Sequence, residues 1–443
     1  RGAELISVPS LSVAFDSRAL LLGRLRVTGL ELIKPRLRLL RHDDGRIEIT
    51  NIESAGETGA GRGIIFDPAR LTEPGQATGV AVFGGLQRLS VRAADLSFRD
   101  AGSGLNLSVP SADLNLRQEG DSVAMSLSTR LRIGQSEAAW GVSALYRDDN
   151  SPIVVAVNFA ELDIAGLAEA IGSARLAQIH GLQLVAAGRL DLALLPEGGI
   201  DRLEFDVITG PGQVALPGLE GKAMPVGAMA AKGQFVDNLS RLNITDLRLD
   251  MGGGFTAQAS GDWRQGADGM SLQGKGQIHN LPAEKLQLYW PENLGVDTRT
   301  WLLAHLQGGM AREASFSVDL RPGDLELAKP RAGMVRLDWS YRNVAADYFG
   351  ALPALQDARG SGHLDGREFR LTLDSATAGG LQLSEGSLHV ADISAKPSIL
   401  DVEFVAHGTV QQALAVLDAK PLEFTKALAI RPEHTTGMSA TRV

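Results

Sequence analysis

The sequence predicts a mainly β protein built from many short antiparallel strands and a few short helices. Apolar and polar residues alternate with a period of two in short segments, which are separated by Gly, Asp, Asn or Pro. The 51 glycines indicate frequent tight turns, and aromatic residues make up only 5% of the chain. Alternation of this kind is typical of half-buried antiparallel strands, in which one face is apolar and the other contacts water.

The alternation recurs from the amino-terminal to the carboxyl-terminal part of the chain. Turn signals such as Asp44-Gly45, Glu119-Gly120 and Asp365-Gly366 fall between the segments, where hairpins need residues that tolerate positive φ. The apolar positions of these predicted strands include Leu37, Leu39, Leu89, Val91, Leu107, Val109, Leu114, Leu116, Val123, Met125, Leu127, Leu182, Leu184, Leu190, Leu192, Phe316, Val318, Leu320, Phe369, Leu371, Leu373, Leu400, Val402 and Phe404.

One strand contains an irregular step. The segment from Leu25 to Leu32 resembles the segment from Leu242 to Leu249 in its apolar positions and its threonine. The odd spacing from Val27 to Leu30 would move the side chains to opposite faces of a straight strand. It therefore predicts a bulge at the two residues between them.

Three short amphipathic helices are predicted between the strands. Asp163 is expected to cap a helix that runs to about Leu176, and Asp297 to cap a second helix. Thr409 is expected to cap a third helix, which Pro421 would end. We expect these helices to cover the ends or edges of a sheet.

Composition argues against several classes of function. Lys and Arg total 43 against 52 Asp and Glu, a formal net charge of -9, without the basic stripe that a nucleic-acid groove needs. With no cysteine, the chain has no disulfide, thiolate zinc site or cysteine nucleophile. The chain begins at Arg1 without a signal-peptide pattern or a membrane-spanning apolar run, so we expect a fragment whose anchor lies upstream.

No catalytic motif is recognisable. The eight histidines are scattered without a paired ligand spacing, so neither a metal nor another cofactor is predicted. The stretch Gly269–Lys275 fits a phosphate-binding loop, but Gly276 stands where a Ser or Thr should ligate magnesium. The acidic pairs Asp43-Asp44 and Asp148-Asp149 lie beside turn residues. We therefore expect a protein that is not an enzyme, although distant acidic residues could still converge in space.

Two interpretations of the apolar face remain open at this point. It could be the core of a β-sandwich, or it could line an open groove. Roughly 20 to 25 strands at a spacing of about 4.8 Å would form a gutter about 100 Å long, which could hold acyl chains.

Several stretches share their pattern with a known protein family. The first comprises a strand, a proline and an Asp-Gly hairpin, and the later ones combine aromatic residues with renewed strands. They are Val27–Pro35, Leu37–Leu39 and Asp44–Ile47, then Tyr289–Pro291, Thr298–Leu302, Gly308-Gly309, Asp347–Phe349 and Asp357–Gly360. Together they resemble the AsmA-like family of bacterial envelope proteins.

The resemblance implies a long, curled antiparallel sheet that forms an open β-gutter with an apolar lining and a few short helices. It implies a periplasmic protein of Gram-negative bacteria that is tethered to the inner membrane and carries phospholipid between the inner and outer membranes. The expected partners are phospholipid acyl chains, both membranes and other envelope proteins, with no nucleic acid. The expected lipid-binding groove comprises Leu25, Val27, Leu37, Leu39, Leu89, Val91, Leu182, Leu184, Leu190, Leu192, Phe316, Val318, Leu371, Val402 and Phe404.

There are two alternative functions. An envelope assembly factor could use the same fold to pair its exposed strand edges with outer-membrane proteins. A β-helical carbohydrate-active enzyme should show coil repeats of about 20 residues and clustered acids, and the sequence shows neither.

The domain organisation follows from these assignments, and a chain of this length is expected to form two or three domains. The predicted segments are 1–50 (amino-terminal strands and hairpin), 51–80 (flexible loop), 81–280 (central β-gutter with a short helix near 163–176), 281–310 (helical insert), 311–430 (carboxyl-terminal β-gutter with a short helix near 409–418) and 431–443 (mobile tail).

Overall fold

The computed structural model confirms the predicted fold class. The chain is mainly β with short helices, and its large, mostly antiparallel sheet is not closed into a barrel. The structure describes residues 8–42, 46–51, 64–66, 86–101, 106–133, 136–147, 149, 151–171, 181–195, 199–215, 223–289, 296–324, 327, 329–348, 352–395, 399–420, 422–424 and 434–443.

The strands are numbered in chain order. They are β1 Ser10–Phe15, β2 Val27–Ile33, β3 Arg36–Arg41, β4 Ile47–Asn51, β5 Ile64–Phe66, β6 Arg88–Asp100, β7 Asn106–Glu119, β8 Ser122–Ile133, β9 Ser136–Arg147, β10 Ile153–Asp163, β11 Leu182–Gln183, β12 Val185–Leu194, β13 Ile200–Thr209, β14 Gly212–Val214, β15 Met224–Val226, β16 Ala228–Val236, β17 Arg241–Asp250, β18 Thr256–Gly266, β19 Gly269–Pro282, β20 Leu306–Leu320, β21 Val335–Ala346, β22 Leu355–Asp365, β23 Glu368–Ala378, β24 Leu381–Val390, β25 Asp401–Thr409 and β26 Met438–Arg442.

The described helices are short. They are α1 Ser17–Leu21, α2 Ile164–Ile171, α3 Leu286–Tyr289, α4 Val296–His305 and α5 Val410–Asp418, with a 3-10 turn at Ala283–Lys285.

Two of the three predicted helix caps are confirmed. The Gly166 backbone N–H donates to Asp163 Oδ1 at 3.1 Å, so Asp163 caps α2. Thr409 and Gln412 form a reciprocal capping box at the start of α5. The third prediction was wrong, because α4 begins at Val296 and Asp297 therefore lies inside its first turn. The expected ends at Leu176 and Pro421 fall outside the described residues.

The chain divides into two compact units. Unit 1 comprises Arg1–Val214 and Ala230–Leu242, and unit 2 comprises Ala215–Met229 and Asn243–Val443.

Unit 1 contains a run of neighbouring strands in the order β1, β2, β6, β7, β8, β9, β10, β12 and β13. Every pairing in this run is antiparallel except that of β2 with β6. The long strand β6 also pairs in parallel with β3, which continues through β4 to β5. The large sheet is therefore mixed, though mostly antiparallel, because the chain returns to β2 and β3 from a distant segment and not through a hairpin.

The bulge predicted in the segment from Leu25 to Leu32 is present. Ala14 pairs with Gly29 and Phe15 pairs with Val27, so Thr28 is the extra residue. This bulge keeps Val27 on the same face of the sheet as Leu30 despite the odd spacing. Five further register shifts each contain a residue with positive φ, an αL-like conformation that bulges use and that bends a strand locally. These residues are Ala93, Glu161, Asn343, Asp357 and Glu385.

Unit 2 contains an antiparallel meander from β18 to β26 in sequence order. Its last strand corrects the expectation of a mobile tail at 431–443. Met438–Arg442 lacks an apolar period, but its backbone pairs with Val405–Thr409 of β25. Backbone hydrogen bonds do not require a particular side-chain pattern, so this edge strand left no signal in the sequence.

The core of the described residues is small and consists largely of small side chains. Of the 24 buried hydrophobic residues, half are alanines. In unit 1, Ile164 and Leu167 of α2 pack against a cluster around Phe159 and Leu162. In unit 2, Ala413 and Val416 of α5 pack against a cluster around Tyr341. Most large apolar side chains of the sheet are therefore left only partly covered.

Candidate functional site

Unit 1 presents two continuous rows of apolar side chains on one face of its sheet. Residues that are paired across neighbouring strands lie on the same face. The first row is Leu11, Leu32, Val91, Leu114, Leu127, Val142, Val157, Leu190 and Phe205. The second row is Val13, Leu30, Leu89, Leu116, Met125, Ala144, Val155, Leu192 and Leu203.

The opposite face of the same strands is mostly polar. Its middle row is Ser12, Glu31, Ser90, Asn115, Ser126, Ser143, Ala156, Asp191 and Glu204. Cross-strand hydrogen bonds link some of these side chains, since Ser90 Oγ donates to Asn115 Oδ1 at 3.0 Å. The two faces therefore offer different chemistry to a ligand along nine neighbouring strands.

The side chains in the apolar rows of unit 1 are partly exposed to solvent. Val91 is buried at 8% exposure, and it is the only member of the two rows in the buried class. Leu11 and Val13 on the edge strand are 56% and 39% exposed, and the remaining members are partly exposed. A face packed against a second sheet would bury most of these side chains. This burial pattern is that of an accessible apolar face.

Unit 2 has an equivalent face of its own. One row across eight strands is Ala257, Ile278, Ala314, Trp339, Gly362, Leu371, Leu388 and Val402. A parallel row across seven strands is Ala259, Gly276, Phe316, Leu337, Leu364, Phe369 and Val390.

Large rings in these rows lie over glycines of the neighbouring strand. A Cβ on Gly362 would collide with the indole of Trp339, and a Cβ on Gly276 would come within 2.6 Å of Phe316 Cζ. The Tyr341 hydroxyl donates to the Thr372 carbonyl at 2.9 Å, and burial raises the pKa of this hydroxyl. The missing side chains let the rings lie across the sheet, so they cover its backbone with apolar surface.

The helices of unit 2 lie at one edge of this face. The chain leaves the end of β19 through α3 and α4 and returns at the start of β20, while α5 follows the end of β25. Because the intervening strands alternate in direction, the ends of β19 and β25 are at the same edge of the sheet. The prediction that short helices cover the edge of a sheet is confirmed for α5, which packs on the Tyr341 cluster.

The polar face of unit 2 carries charged groups and a broad depression. The depression has a volume of about 850 Å³, and its lining includes Ser315, Asp338, His363 and Arg370. His363 Nδ1 lies 2.5 Å from Asp338 Oδ1. The lining is mostly polar, so this depression does not fit an acyl chain.

Two neighbouring side chains on this face lower the pKa of Glu368. Its pKa is lowered by Arg370 and, to a lesser degree, by His389, whose Nε2 lies 3.0 Å from Glu368 Oε1. These exposed pairs are cross-strand contacts of a hydrated surface.

The structure places twelve of the fifteen predicted groove residues on the apolar faces. In unit 1 they are Val27, Leu37, Leu39, Leu89, Val91, Leu190 and Leu192, and in unit 2 they are Phe316, Val318, Leu371, Val402 and Phe404. Leu25 precedes β2 and is 75% exposed.

Leu182 and Leu184 are corrected as groove residues. Leu182 belongs to β11, which pairs with β14 outside the large sheet. Leu184 is only 2% exposed and packs close to Gly212, so it offers no surface to a ligand. Their alternation is indistinguishable from that of a groove strand, because both environments are apolar on one side.

Other residues of the apolar rows were not among the predicted groove residues, although many of them follow the period-two pattern. The largest are the aromatic side chains Phe205, Trp339 and Phe369. Their alternation gave the signal, but the strand register that joins them into rows is not visible in a single sequence.

Together these features define a class of protein: mainly β, with an open sheet that presents one apolar and one polar face. A model of the YhdP protein family matches residues 238–437, a little under half of the chain. The match supports an assignment of the chain to the AsmA-like, YhdP-like proteins, and this family suggests a bacterial envelope protein.

The match contains the aromatic stretches that resembled the family, whereas the stretch Val27–Ile47 lies outside it. A search of curated proteins and a search of solved structures each gave no significant match. No helix in the described part of the chain is long and apolar enough to cross a membrane.

Proposed function

We propose that this protein is a non-enzymatic carrier of phospholipid, which binds acyl chains along its apolar sheet faces in the periplasm and serves exchange between the inner and outer membranes. Membership of the YhdP family is consistent with a role in envelope lipid transport in general. The observation that carries the finer proposal is the pair of unbroken apolar rows across nine strands of unit 1.

The physical argument rests on what these rows can and cannot bind. An acyl chain gains free energy from leaving water, about 0.8 kcal/mol per buried methylene, without requiring hydrogen bonds. The headgroup remains in water at the open side, because burying an unpaired charge is costly. Continuous apolar rows without fixed polar partners therefore bind many lipids with little selectivity for the headgroup.

The test uses two double variants on the same pair of strands. Leu127 and Val142 are paired across β8 and β9 on the apolar face, and Ser126 and Ser143 are paired on the opposite face. We expect L127E/V142E to lower binding of a fluorescent phospholipid by about tenfold or more, because its charges would face the acyl chains. S126E/S143E introduces the same charges into water and should bind as the unchanged protein does.

Lipid extracted from the purified protein should be identified by mass spectrometry. Absence of lipid, or equal loss of binding in both folded variants, would contradict the proposal. Circular dichroism of each variant establishes that it is folded.

A further inference from the structure

The connection between β1 and β2 carries the most exposed cluster of large apolar side chains in the described chain. Leu21, Leu22 and Leu25 are 88%, 76% and 75% exposed, and Leu20 is 55% exposed. We call these four residues the leucine rim. Exposed leucines are common singly, but a contiguous group of this kind marks a contact surface.

The leucine rim is held on an ordered turn. Asp16 Oδ1 accepts from the Arg18 backbone N–H at 2.9 Å and so caps α1. At the other end, Gly23 has φ of +69°, and the Arg24 N–H donates to the Ala19 carbonyl at 2.9 Å. These bonds close the helix in the manner of a Schellman motif. Backbone groups at both ends of the turn are hydrogen-bonded, so the leucines are exposed on a formed turn.

Basic side chains accompany the leucine rim. Arg18, Arg24 and Arg26 are all exposed, and none of them forms an ion pair with another described residue. The sole carboxylate between Asp16 and Arg26 is Asp16 itself, which is engaged as the helix cap. Protruding leucines beside arginines fit a bilayer surface with anionic headgroups, since the leucines enter the acyl boundary and the arginines attract phosphate.

The leucine rim is also continuous with the apolar rows. Val13 on β1 pairs with Leu30 of the second row, and Phe15 pairs with Val27 beside the rim. Phe15 and Val27 are 45% and 38% exposed. An apolar path therefore runs from the tip of the turn to the sheet face.

We infer that the leucine rim and its three arginines form a membrane-docking surface, which inserts into the interface of an anionic bilayer and brings the β1 edge of unit 1 against it. A shared apolar path would let an acyl chain pass from the bilayer to the sheet without crossing water. Docking itself does not depend on the proposed acyl binding, so the two can be tested separately.

The experiment is co-sedimentation of the full chain with two kinds of vesicle. One contains phosphatidylcholine alone, and the other contains phosphatidylcholine with phosphatidylglycerol. We expect binding to the anionic vesicles that weakens as salt is raised, and weaker binding to the neutral vesicles. In L21E/L22E we expect binding to fall by about tenfold or more. R24Q/R26Q should lose the preference for anionic vesicles.

The matched control is I399E/L400E, which alters another adjacent pair of exposed residues, at 75% and 54% exposure, before β25. It should bind vesicles as the unchanged protein does. Equal binding by L21E/L22E and the control, or no vesicle binding by the unchanged protein, would overturn the inference. Self-association that L21E/L22E abolishes, without vesicle binding, would also overturn it and assign the rim to a second copy of the chain.

A fluorescent phospholipid added in solution separates this inference from the proposed function. L21E/L22E should still bind that probe if the sheet faces carry acyl chains. Loss of vesicle binding with retained probe binding is the result expected here.

Discussion

Gly362 is required by the ring that lies over it. A Cβ at this position would overlap the indole of Trp339, whereas a Cβ at Gly274 on the same face would meet only ordinary contact, with Ser260 O at 3.5 Å. We expect Gly362→Ala to lower the free energy of unfolding by about 1–3 kcal/mol, because the ring must leave its position. Urea denaturation measures this, with Gly274→Ala as the control. Equal effects of the two substitutions would contradict the packing argument.

The turn between β20 and β21 contains an acidic group whose ionisation stabilises the fold. The Arg321 backbone N–H and the Arg331 guanidinium lower the pKa of Asp324. Arg331 Nη2 lies 2.9 Å from Asp324 Oδ2 and 3.0 Å from Asp319 Oδ2. Because the pKa is lower in the folded state, this stabilisation is present above the unfolded pKa of about 3.9 and is lost as pH falls through the folded pKa.

Arg331→Met should therefore destabilise the protein most at neutral pH. We expect the difference in free energy of unfolding between this variant and the unchanged protein to shrink as pH falls from 7 towards 3, since both proteins then lose the charged carboxylates. Urea denaturation at several pH values measures the difference. Arg442→Met removes an exposed partner of Glu385 and should have little effect at any pH. If the difference in free energy of unfolding between Arg331→Met and the unchanged protein grew as pH fell, the prediction would be contradicted.

At the scale of residues, much of the candidate site was visible in the sequence. Period-two alternation predicted that Leu89 and Val91 share one face of a strand, as do Leu190 and Leu192, and the strand pairing places them so, because side-chain direction along a strand depends on local geometry. The same reasoning failed at Leu184, because burial depends on what packs against a strand from elsewhere in the chain.

Among the elements, helix α5 depends on its cap. Thr409 Oγ1 accepts from the Gln412 N–H at 3.2 Å, and Gln412 Oε1 accepts from the Thr409 N–H at 2.8 Å. Thr409→Ala should lower the free energy of unfolding by about 1 kcal/mol, within a range of about 0.5–2. Thr409→Ser keeps the hydroxyl and should be nearly neutral in the same denaturation experiment. Similar losses for both variants would show that the hydroxyl does not act as a cap.

Element boundaries were predicted where a local signal exists. Thr409 and Asp163 carry the side-chain oxygens that satisfy helix N–H groups, so their positions could be read directly. The parallel pairing of β6 with β2 and β3 had no such signal, because it joins segments about 60 residues apart in the chain. Strand β26 also had no local signal, because Met438–Arg442 lacks an apolar period and pairs through its backbone.

For the whole molecule, both a sandwich and an open groove were compatible with the alternation in the sequence. Both use the same leucines, valines and phenylalanines, and only the strand pairing and partial exposure separate them. The family resemblance favoured the open form, and the unclosed sheet agrees with it.

An open apolar face has a consequence for solution behaviour. We expect the protein stripped of lipid to self-associate, because large exposed apolar surfaces aggregate when they are not occupied. Light scattering before and after delipidation measures this, and adding phospholipid back should reverse it. Delipidated protein that stays monomeric at the same concentration would argue against an accessible apolar face.

The most direct test of acyl binding is site-specific photo-crosslinking to bound phospholipid. A photoreactive residue is placed at Met125 or Leu127 on the apolar face of β8, and at Ser126 on its opposite face. The same comparison is made in unit 2 at Leu371 and Arg370. We predict lipid adducts at Met125, Leu127 and Leu371 and none at Ser126 or Arg370. Equal labelling of both faces, or no adduct at the apolar positions, would contradict the account.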